Sequence, residues 1–201
     1  SWRLVSMWNV DEGAVQSEQC RVAVEWFDAI LSRTFETLSD HYSKFRISDA
    51  LMTIYKLFWD DFCSWYLELV KPSFGVAVDK ATYDATMVFF EKLLKLIHPV
   101  MPFITEEIYQ CLPHKDQSIM VSAWPFAKEE LMDDEAERLM NAIMDSIKAI
   151  RNMRAEVNVP PGKKVPAILL AAADLKAGIE ANESGAYPNA IAKVVPVEGY
   201  I

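Results

Sequence analysis

The sequence predicts a mainly α-helical protein that ends in a small α/β appendage, and three observations predict this fold class. Apolar residues recur at steps of three and four along most of the chain, which places them on one face of a helix. The chain has only six Gly against six Trp and nine Met, a composition typical of packed helices. After residue 160 the helical spacing gives way to short β-like runs. We therefore expect a helical bundle at 1–125, a long helix that continues it at 126–160, and a strand–helix–strand appendage at 161–201.

The first two long helices are predicted by continuous apolar stripes. One stripe runs from 19 to 42, and a short polar break follows it. Ser48 is expected to cap the next helix, because its hydroxyl can accept a hydrogen bond from a free backbone N–H of the first turn. That helix should run over 49–70 and is unusually aromatic. Pro72 and Gly75 should end it.

The third helix is predicted between a capping residue and two prolines. Asp79 is expected to be the N-cap of this helix, and the helix should continue to about Ile97. Pro99 and Pro102 then end the helix, because proline lacks the backbone N–H and clashes with the preceding turn. At this helix end we expect His98 to donate to free backbone carbonyls.

The rest of the chain divides into shorter segments and one long helix. We expect a fourth helix over 104–112, an extended segment over 118–125 and a fifth helix over 128–157. The appendage is expected to be β-like at 164–171, weakly helical at 173–181 and β-like again at 191–197.

The composition excludes several classes of protein. A chain that is 52% apolar can bury a core, which excludes intrinsic disorder. Its longest apolar runs are far shorter than the ~20 residues that a membrane span needs. The net charge of −9 argues against a general nucleic-acid binder. A local basic surface is nevertheless expected between residues 138 and 164, where six bases accompany two acids: Arg138, Lys148, Arg151, Arg154, Lys163 and Lys164 against Asp145 and Glu156.

The cysteines and histidines predict neither a disulfide framework nor a metal site. Cys20, Cys63 and Cys111 form an odd, sparse set without a CxxC spacing, which is typical of reduced thiols in a cytoplasmic protein. The three histidines show no metal-ligand spacing.

No catalytic motif is present in the sequence. There is no nucleophile motif, phosphate loop or Gly-rich turn. The acidic pairs Asp60-Asp61, Glu106-Glu107 and Asp133-Asp134 consist of neighbours, which point about 100° apart on a helix and so do not converge on one substrate. We therefore expect them to lie on solvated helix faces.

Three runs of residues are more specific than the rest of the chain. They are Trp59–Pro72 (WDDFCSWYLELVKP), His98–Tyr109 (HPVMPFITEEIY) and Ile150–Lys164 (IRNMRAEVNVPPGKK). In order and approximate spacing they closely resemble the C-terminal part of the valyl-tRNA synthetases, which are class I aminoacyl-tRNA synthetases. The first and third runs are more specific to the valine enzymes, and the second is shared with the leucine and isoleucine enzymes. One departure is Ser64, where the family usually carries aspartate.

The resemblance covers residues 1–164 and continues more loosely to the end. It implies that the predicted bundle is an anticodon-binding bundle. The family carries its HIGH and KMSKS motifs on an upstream Rossmann domain, and neither motif occurs here. The chain itself is therefore expected to be non-catalytic, to hold no cofactor and to be a monomer. The implied parent enzyme uses ATP with Mg²⁺, and the implied partners are tRNA(Val) and the enzyme's own upstream catalytic and editing domains.

The resemblance also implies where RNA is bound. In the family the anticodon contacts come from the first bundle helix and from the end of the tryptophan-tyrosine-leucine-glutamate helix, which correspond here to Arg3, Leu4, Glu68 and Lys71. Arg3 suits a phosphate or a base face. Leu4 packs against a base but lacks the π-face of the aromatic residue found in some valine enzymes. Glu68 suits the exocyclic amine of a base.

Three further residues are candidates with two interpretations each. Trp65 either contacts RNA or belongs to the core stripe of its helix. Arg151 and Arg154 are three residues apart and so share a helix face. They either meet phosphates or brace Glu156 and the appendage.

Two other hypotheses remain at this stage. The chain is alternatively a non-catalytic helical module for protein interaction, with the aromatic segment Tyr55–Tyr66 as the partner groove. An autonomous hydrolase with paired carboxylates is disfavoured by their adjacent spacing.

Overall fold

The computed structural model describes residues 2–73, 75–113, 116–127 and 134–160. This part of the chain is mainly α-helical, as the sequence predicts. Its elements in chain order are α1 Trp2–Val5, β1 Val10–Asp11, α2 Glu18–Ser43, α3 Ile47–Lys56, a π-helical segment Leu57–Tyr66, α4 Leu67–Val70, β2 Val78–Asp79, α5 Lys80–Ile97, α6 Pro102–Tyr109, a 3₁₀ turn Ile119–Val121 and α7 Asp134–Glu156.

Helix α2 lies at the centre of the core and confirms the prediction of a helix over 19–42. The hydroxyl of Ser17 caps it by accepting a hydrogen bond from the backbone N–H of Cys20. Its buried Phe27 ring lies 5.0 Å from the ring centroids of both Tyr66 and Phe89. Aromatic side chains from α2, the π-helical segment and α5 therefore meet in one cluster, which holds the bundle together.

The predicted helix over 49–70 is confirmed as a continuous helical course from Ile47 to Val70, with two differences. Ser48 is not the N-cap: Phe45 adopts a φ of 55°, and this turn starts the helix one residue before Ser48, with Arg46 in the capping position. The middle of the course is π-helical, and there Ser64 Oγ donates to the carbonyl of Trp59, five residues back, over 2.9 Å.

Asp79 caps α5 as predicted. Its carboxylate accepts a hydrogen bond from the backbone N–H of Thr82 over 2.8 Å. The same residue also belongs to a short parallel pairing that the sequence did not predict, in which Val10 lies opposite Val78. This pairing fastens the segment after α1 to the start of α5.

The segment after α5 differs from its prediction in three places. His98 does not donate to a helix carbonyl: its Nδ1 bonds to the hydroxyl of Thr105 over 2.7 Å. That hydroxyl donates its one proton to the carbonyl of Met101, so Nδ1 is the donor. Helix α6 begins and ends a few residues before the predicted bounds of 104–112. The predicted extended segment 118–125 instead begins with a 3₁₀ turn, because the carboxylate of Glu106 accepts from Ser118 Oγ and from the N–H of Ile119.

Helix α7 confirms the long helix predicted over 128–157, within the residues described. Its buried face consists of Leu139, Met140, Ile143, Met144 and Ile147. Arg33 of α2 bonds to Glu137 over 2.9 Å and pairs with Asp134, which ties the start of α7 to α2. The start predicted at 128–133 and the α/β appendage predicted at 161–201 lie outside the described residues. Within the described part, no helix combines the length and the apolar character needed to cross a bilayer.

Candidate nucleic-acid interface

Glu68 and Lys71 lie at the end of the long helical course. The buried side chains of Leu67, Leu69 and Val70 anchor this end, and the backbone becomes extended at Lys71. Lys71 Nζ donates to Glu68 Oε2 over 2.5 Å, while both side chains remain about two-fifths exposed. The core thus holds a carboxylate and an ammonium next to each other at the surface, where a polar ligand can reach both.

Arg3 and Leu4 project from α1, which two neighbours hold in place. Val5 is fully buried, and the Trp2 ring stacks on Phe90 of α5 with centroids 5.9 Å apart. Arg3 and Leu4 are exposed. The guanidinium of Arg3 forms no ion pair with any residue that the structure describes, so its donors are open to a phosphate or a base.

Trp65 is neither a fully buried core residue nor a free surface residue. Its indole is half-buried, and the ammonium of Lys148 on α7 lies 5.9 Å from its ring centroid. Lys148 also bonds to the exposed carboxylate of Asp145 over 3.1 Å. A cation and an aromatic ring from two distant parts of the sequence therefore meet at one surface.

The two arginines near the end of α7 have different surroundings. Arg151 is exposed. Arg154 is only 8% exposed, and its Nη2 donates to the carbonyl of Pro160 over 2.9 Å. The structure thus connects Arg154 to the turn after α7 and leaves Arg151 accessible from solvent.

The residues predicted to bind RNA lie in separate small groups in the structure. It joins Glu68 to Lys71 and places Trp65 beside α7, but among the described residues no hydrogen bond or ion pair links Arg3 to Glu68. The sequence-based list missed Lys148. The sequence did contain an indication of its role: Lys148 belongs to the basic run between residues 138 and 164 and precedes Arg151 by three residues, which places both on one helix face.

The structure also contains an open apolar groove of about 600 Å³. It is lined by Trp2, Arg3, Leu51, Ile54, Tyr55, Phe58, Phe90, Leu94, Ile97, Val100, Met101, Ile104, Thr105 and Ile108. The ring of Tyr55, one of the lining residues, stacks on that of Trp59 with centroids 6.3 Å apart and an interplanar angle of 7°, and each side chain is 57% exposed. Both residues belong to the aromatic segment Tyr55–Tyr66, which the alternative hypothesis of a protein-interaction module assigns as the partner groove.

The acidic pairs were predicted to lie on solvated helix faces. This prediction is wrong for one member of each of two pairs, Asp61 and Glu106. Asp61 is partly buried, and this burial, together with the charge of Asp60, raises the pKa of its carboxyl to about 6. Glu106 accepts hydrogen bonds from Gln110, Ser118 and the backbone N–H of Ile119, and these bonds lower the pKa of its carboxyl. Asp60 itself is exposed, so the members of its pair diverge as the helix geometry requires.

Comparison with known proteins identifies the class of domain to which this helical bundle belongs. Residues 24–169 match the anticodon-binding domain of tRNA ligases. Because the match covers most of the chain, the chain belongs to this family.

Three similar proteins share the name valine–tRNA ligase. The chain is 43% identical over 162 residues to the valine–tRNA ligase of Parabacteroides distasonis, a match that covers 80% of this chain and 18% of the relative. It is 44% identical over 167 residues to that of Porphyromonas gingivalis, covering 82% and 19%. It is 40% identical over 169 residues to that of Clostridium acetobutylicum, covering 83% and 19%. The chain thus spans about a fifth of the length of these relatives.

Proposed function

We propose that this chain is the anticodon-reading region of a valine–tRNA ligase. It binds the anticodon loop of tRNA(Val) while the catalytic domain of the same enzyme joins valine to the tRNA with ATP and Mg²⁺. The family match and the valine–tRNA ligase relatives support this proposal. The structural observation that carries it is the Glu68–Lys71 pair, about two-fifths exposed, at the end of the helical course from Ile47 to Val70.

Glu68 is the base-reading group in this proposal. Its carboxylate accepts a hydrogen bond from an exocyclic amine of an unstacked loop base, and such contacts distinguish bases. Lys71 then contacts the neighbouring phosphate, which adds affinity without sequence information. Because the pair is exposed, exchanging its internal bond for RNA contacts costs little, about 1 kcal/mol or less.

Arg3 and Leu4 form the second part of the proposed interface. The planar guanidinium of Arg3 binds a phosphate or lies flat on a base. Leu4, which is 41% exposed, packs against a base by apolar contact alone. This contact is weaker than aromatic stacking, which contributes about 1–3 kcal/mol per base.

Helix α7 contributes the backbone contacts in this proposal. Trp65, with Lys148 above its ring, and the exposed Arg151 form a basic and aromatic surface that suits the sugar–phosphate chain. The burial of Arg154 and its bond to the carbonyl of Pro160 favour a bracing role over a phosphate contact, although the bond is to Pro160 and not to Glu156 or the appendage as foreseen.

The negative net charge of the chain predicts the strength and the salt dependence of its RNA binding. With a net charge of −9, few phosphate contacts are made, so we expect weak affinity and a shallow dependence on salt for the chain alone. We also propose that the chain is monomeric and cytoplasmic and performs no catalysis by itself.

The test is a fluorescence titration of the purified chain with tRNA(Val) and with the same tRNA carrying an altered anticodon, over a series of salt concentrations. A preference of about tenfold or more for the native anticodon, ~1.4 kcal/mol, supports base reading by this chain. Equal and steeply salt-dependent binding of both tRNAs contradicts it and assigns the chain phosphate contacts only. The matched control is Glu36→Gln, which removes an exposed carboxylate of α2 and leaves the preference unchanged.

A further inference from the structure

The carboxylate of Glu68 lies on a single helical turn that follows an irregular segment. Helix α4 has four residues, Leu67–Val70, and continues directly from the π-helical segment Leu57–Tyr66. In a π-helix the hydrogen bonds join residues five apart, so each residue turns through a smaller angle than in an α-helix. The direction in which Glu68 emerges therefore depends on where the π-helical pattern ends. A contact from another helix that holds α4 also holds this direction.

The end of this helical course needs hydrogen-bond donors from other parts of the chain. The last four carbonyls of an α-helix have no N–H groups of the helix opposite them. Pro72, which follows α4, has no N–H to donate. The carbonyl of Leu69 is one of these four, and Leu69 is buried. Because a buried carbonyl without a hydrogen bond is destabilising, a donor from another element is expected here.

Gln19 of α2 supplies such a donor. Its Nε2 donates to the carbonyl of Leu69 over 3.0 Å, in a partly buried contact between residues 50 positions apart. Since the acceptor is a carbonyl, the nitrogen and not the oxygen of the Gln19 amide faces it. Gln19 lies in the first turn of α2, directly after the capping residue Ser17. The bond thus ties the residue that follows Glu68 to the central helix of the bundle.

We propose that Gln19 is a positioning residue for anticodon reading, which acts through the carbonyl of Leu69 to hold the turn that carries Glu68. This inference rests on the proposed function, in which Glu68 is the base-reading group. A hydrogen bond weakens steeply when its angle is distorted, so a loosened turn lowers the discrimination between bases. The ammonium of Lys71 acts on phosphates as a point charge and tolerates the same displacement. Loosening therefore affects the preference more than the overall affinity.

The chain offers a matched control for this role. Gln16, three residues before Gln19, also has a partly buried amide that donates over 3.0 Å, but its acceptor is Thr82 Oγ1 at the start of α5. Gln19→Met and Gln16→Met each remove one such bond and keep an unbranched side chain of similar length. We expect both substitutions to lower the melting temperature of the full-length ligase by a few degrees, because each removes one hydrogen bond.

Titration of the full-length ligase with tRNA(Val) and with the same tRNA carrying an altered anticodon separates the two variants. We expect Gln19→Met to lower the preference for the native anticodon about threefold to fivefold, the effect of one weakened hydrogen bond, and Gln16→Met to leave it unchanged. Gln19→Lys retains a donor and should keep most of the preference. Equal losses of preference in Gln19→Met and Gln16→Met overturn the proposal.

A double variant tests whether Gln19 acts through Glu68. In the ligase that carries Glu68→Gln, the added change Gln19→Met should cause no further loss of preference, because the base-reading carboxylate is already absent. A further loss as large as that in the unsubstituted ligase overturns the proposal, since Gln19 then acts independently of Glu68.

Amide hydrogen exchange of the ligase without tRNA gives a readout that does not depend on anticodon reading. We expect Gln19→Met to speed exchange about fivefold or more at residues 67–71, and Gln16→Met to leave it unchanged there. Exchange that stays slow in Gln19→Met overturns the positioning role. An unsubstituted ligase that does not distinguish the two tRNAs contradicts the proposed function instead, and the exchange rates then still decide whether Gln19 holds the turn.

Discussion

Lys71 Nζ donates to Glu68 Oε2 over 2.5 Å, so the carboxylate proposed to read a base is already paired with a cation. The two residues have separate roles in the proposal: Glu68 supplies discrimination between bases, and Lys71 supplies attraction to the backbone. Substituting each in turn separates these roles.

Glu68→Gln is expected to lower the preference for the native anticodon about fivefold to tenfold, or ~1–1.4 kcal/mol, because the neutral amide is a weaker acceptor for a base amine. Lys71→Met should instead weaken binding of both tRNAs by a similar factor and reduce the salt slope by about 1. Parallel titrations at several salt concentrations measure both effects. If Lys71→Met changes the preference and Glu68→Gln does not, the roles are assigned wrongly.

Tyr66 and Thr86 form a buried hydroxyl pair whose direction follows from the structure. Thr86 Oγ1 donates its one proton to the carbonyl of Thr82 over 2.7 Å, so the phenol of Tyr66 is the donor in the 2.8 Å bond between them. Burial also raises the pKa of Tyr66, which keeps the donor protonated.

We expect Tyr66→Phe to lower the free energy of unfolding by about 1 kcal/mol, the net value of one hydrogen bond. Thr86→Val should cost more, about 1–3 kcal/mol, because it leaves the buried phenol without an acceptor. Urea unfolding of both variants gives the comparison. The reverse order would show that the bond runs in the other direction.

The helices were predictable because their information is local. The apolar stripe of α2 and the cap at Asp79 depend on residues within a few positions of each other, and both are confirmed. The start of α3 was missed because a residue with positive φ, Phe45, turns the chain into the helix early, and nothing in its residue type indicates this.

The candidate site was predictable only in part, because some of its contacts are local in the sequence and others depend on tertiary packing. The contact between Glu68 and Lys71 follows from their spacing on a helix. The contact between Trp65 and Lys148 depends on how α7 docks against a helix more than 80 residues away, which periodicity does not encode. The partial burial of Asp61 likewise comes from tertiary packing and is invisible in a pair of adjacent acids.

Asp61 is expected to make stability depend on pH. Its pKa is about 6 in the folded chain and close to 3.8 in the unfolded one. Below about pH 4 both states hold the proton. Between about pH 4 and 6 only the unfolded state releases it, so the contribution of Asp61 to the free energy of unfolding falls as the pH rises and levels off above this range.

Asp61→Asn should remove this loss and stabilise the chain at pH 7.5 by about 1–3 kcal/mol, with little effect near pH 4. Asp60→Asn removes the same charge from the exposed neighbour and should gain much less, because burial is the larger cause of the shift. Urea unfolding from pH 4 to 8 measures both. A stabilisation by Asp61→Asn that does not vary with pH would contradict the titration of this carboxyl.

Arg151 and Arg154 form a matched pair for separating RNA binding from structure, since they have the same side chain on one helix, three residues apart. Arg154 is buried and donates to the carbonyl of Pro160 over 2.9 Å, whereas Arg151 is exposed. We expect Arg154→Met to lower the free energy of unfolding by about 1–3 kcal/mol, because the carbonyl of Pro160 loses its charged donor.

The same change at Arg151 should have the opposite profile. Arg151→Met is expected to leave the free energy of unfolding within about 0.5 kcal/mol of the original, as is usual for surface substitutions. It should weaken tRNA binding a few-fold and reduce the salt slope by about 1, because one phosphate contact is lost. Thermal unfolding measures the stability of each variant, and titration with tRNA measures the affinity of each. If Arg154→Met weakens RNA binding without changing stability, Arg154 is a phosphate contact and not a brace.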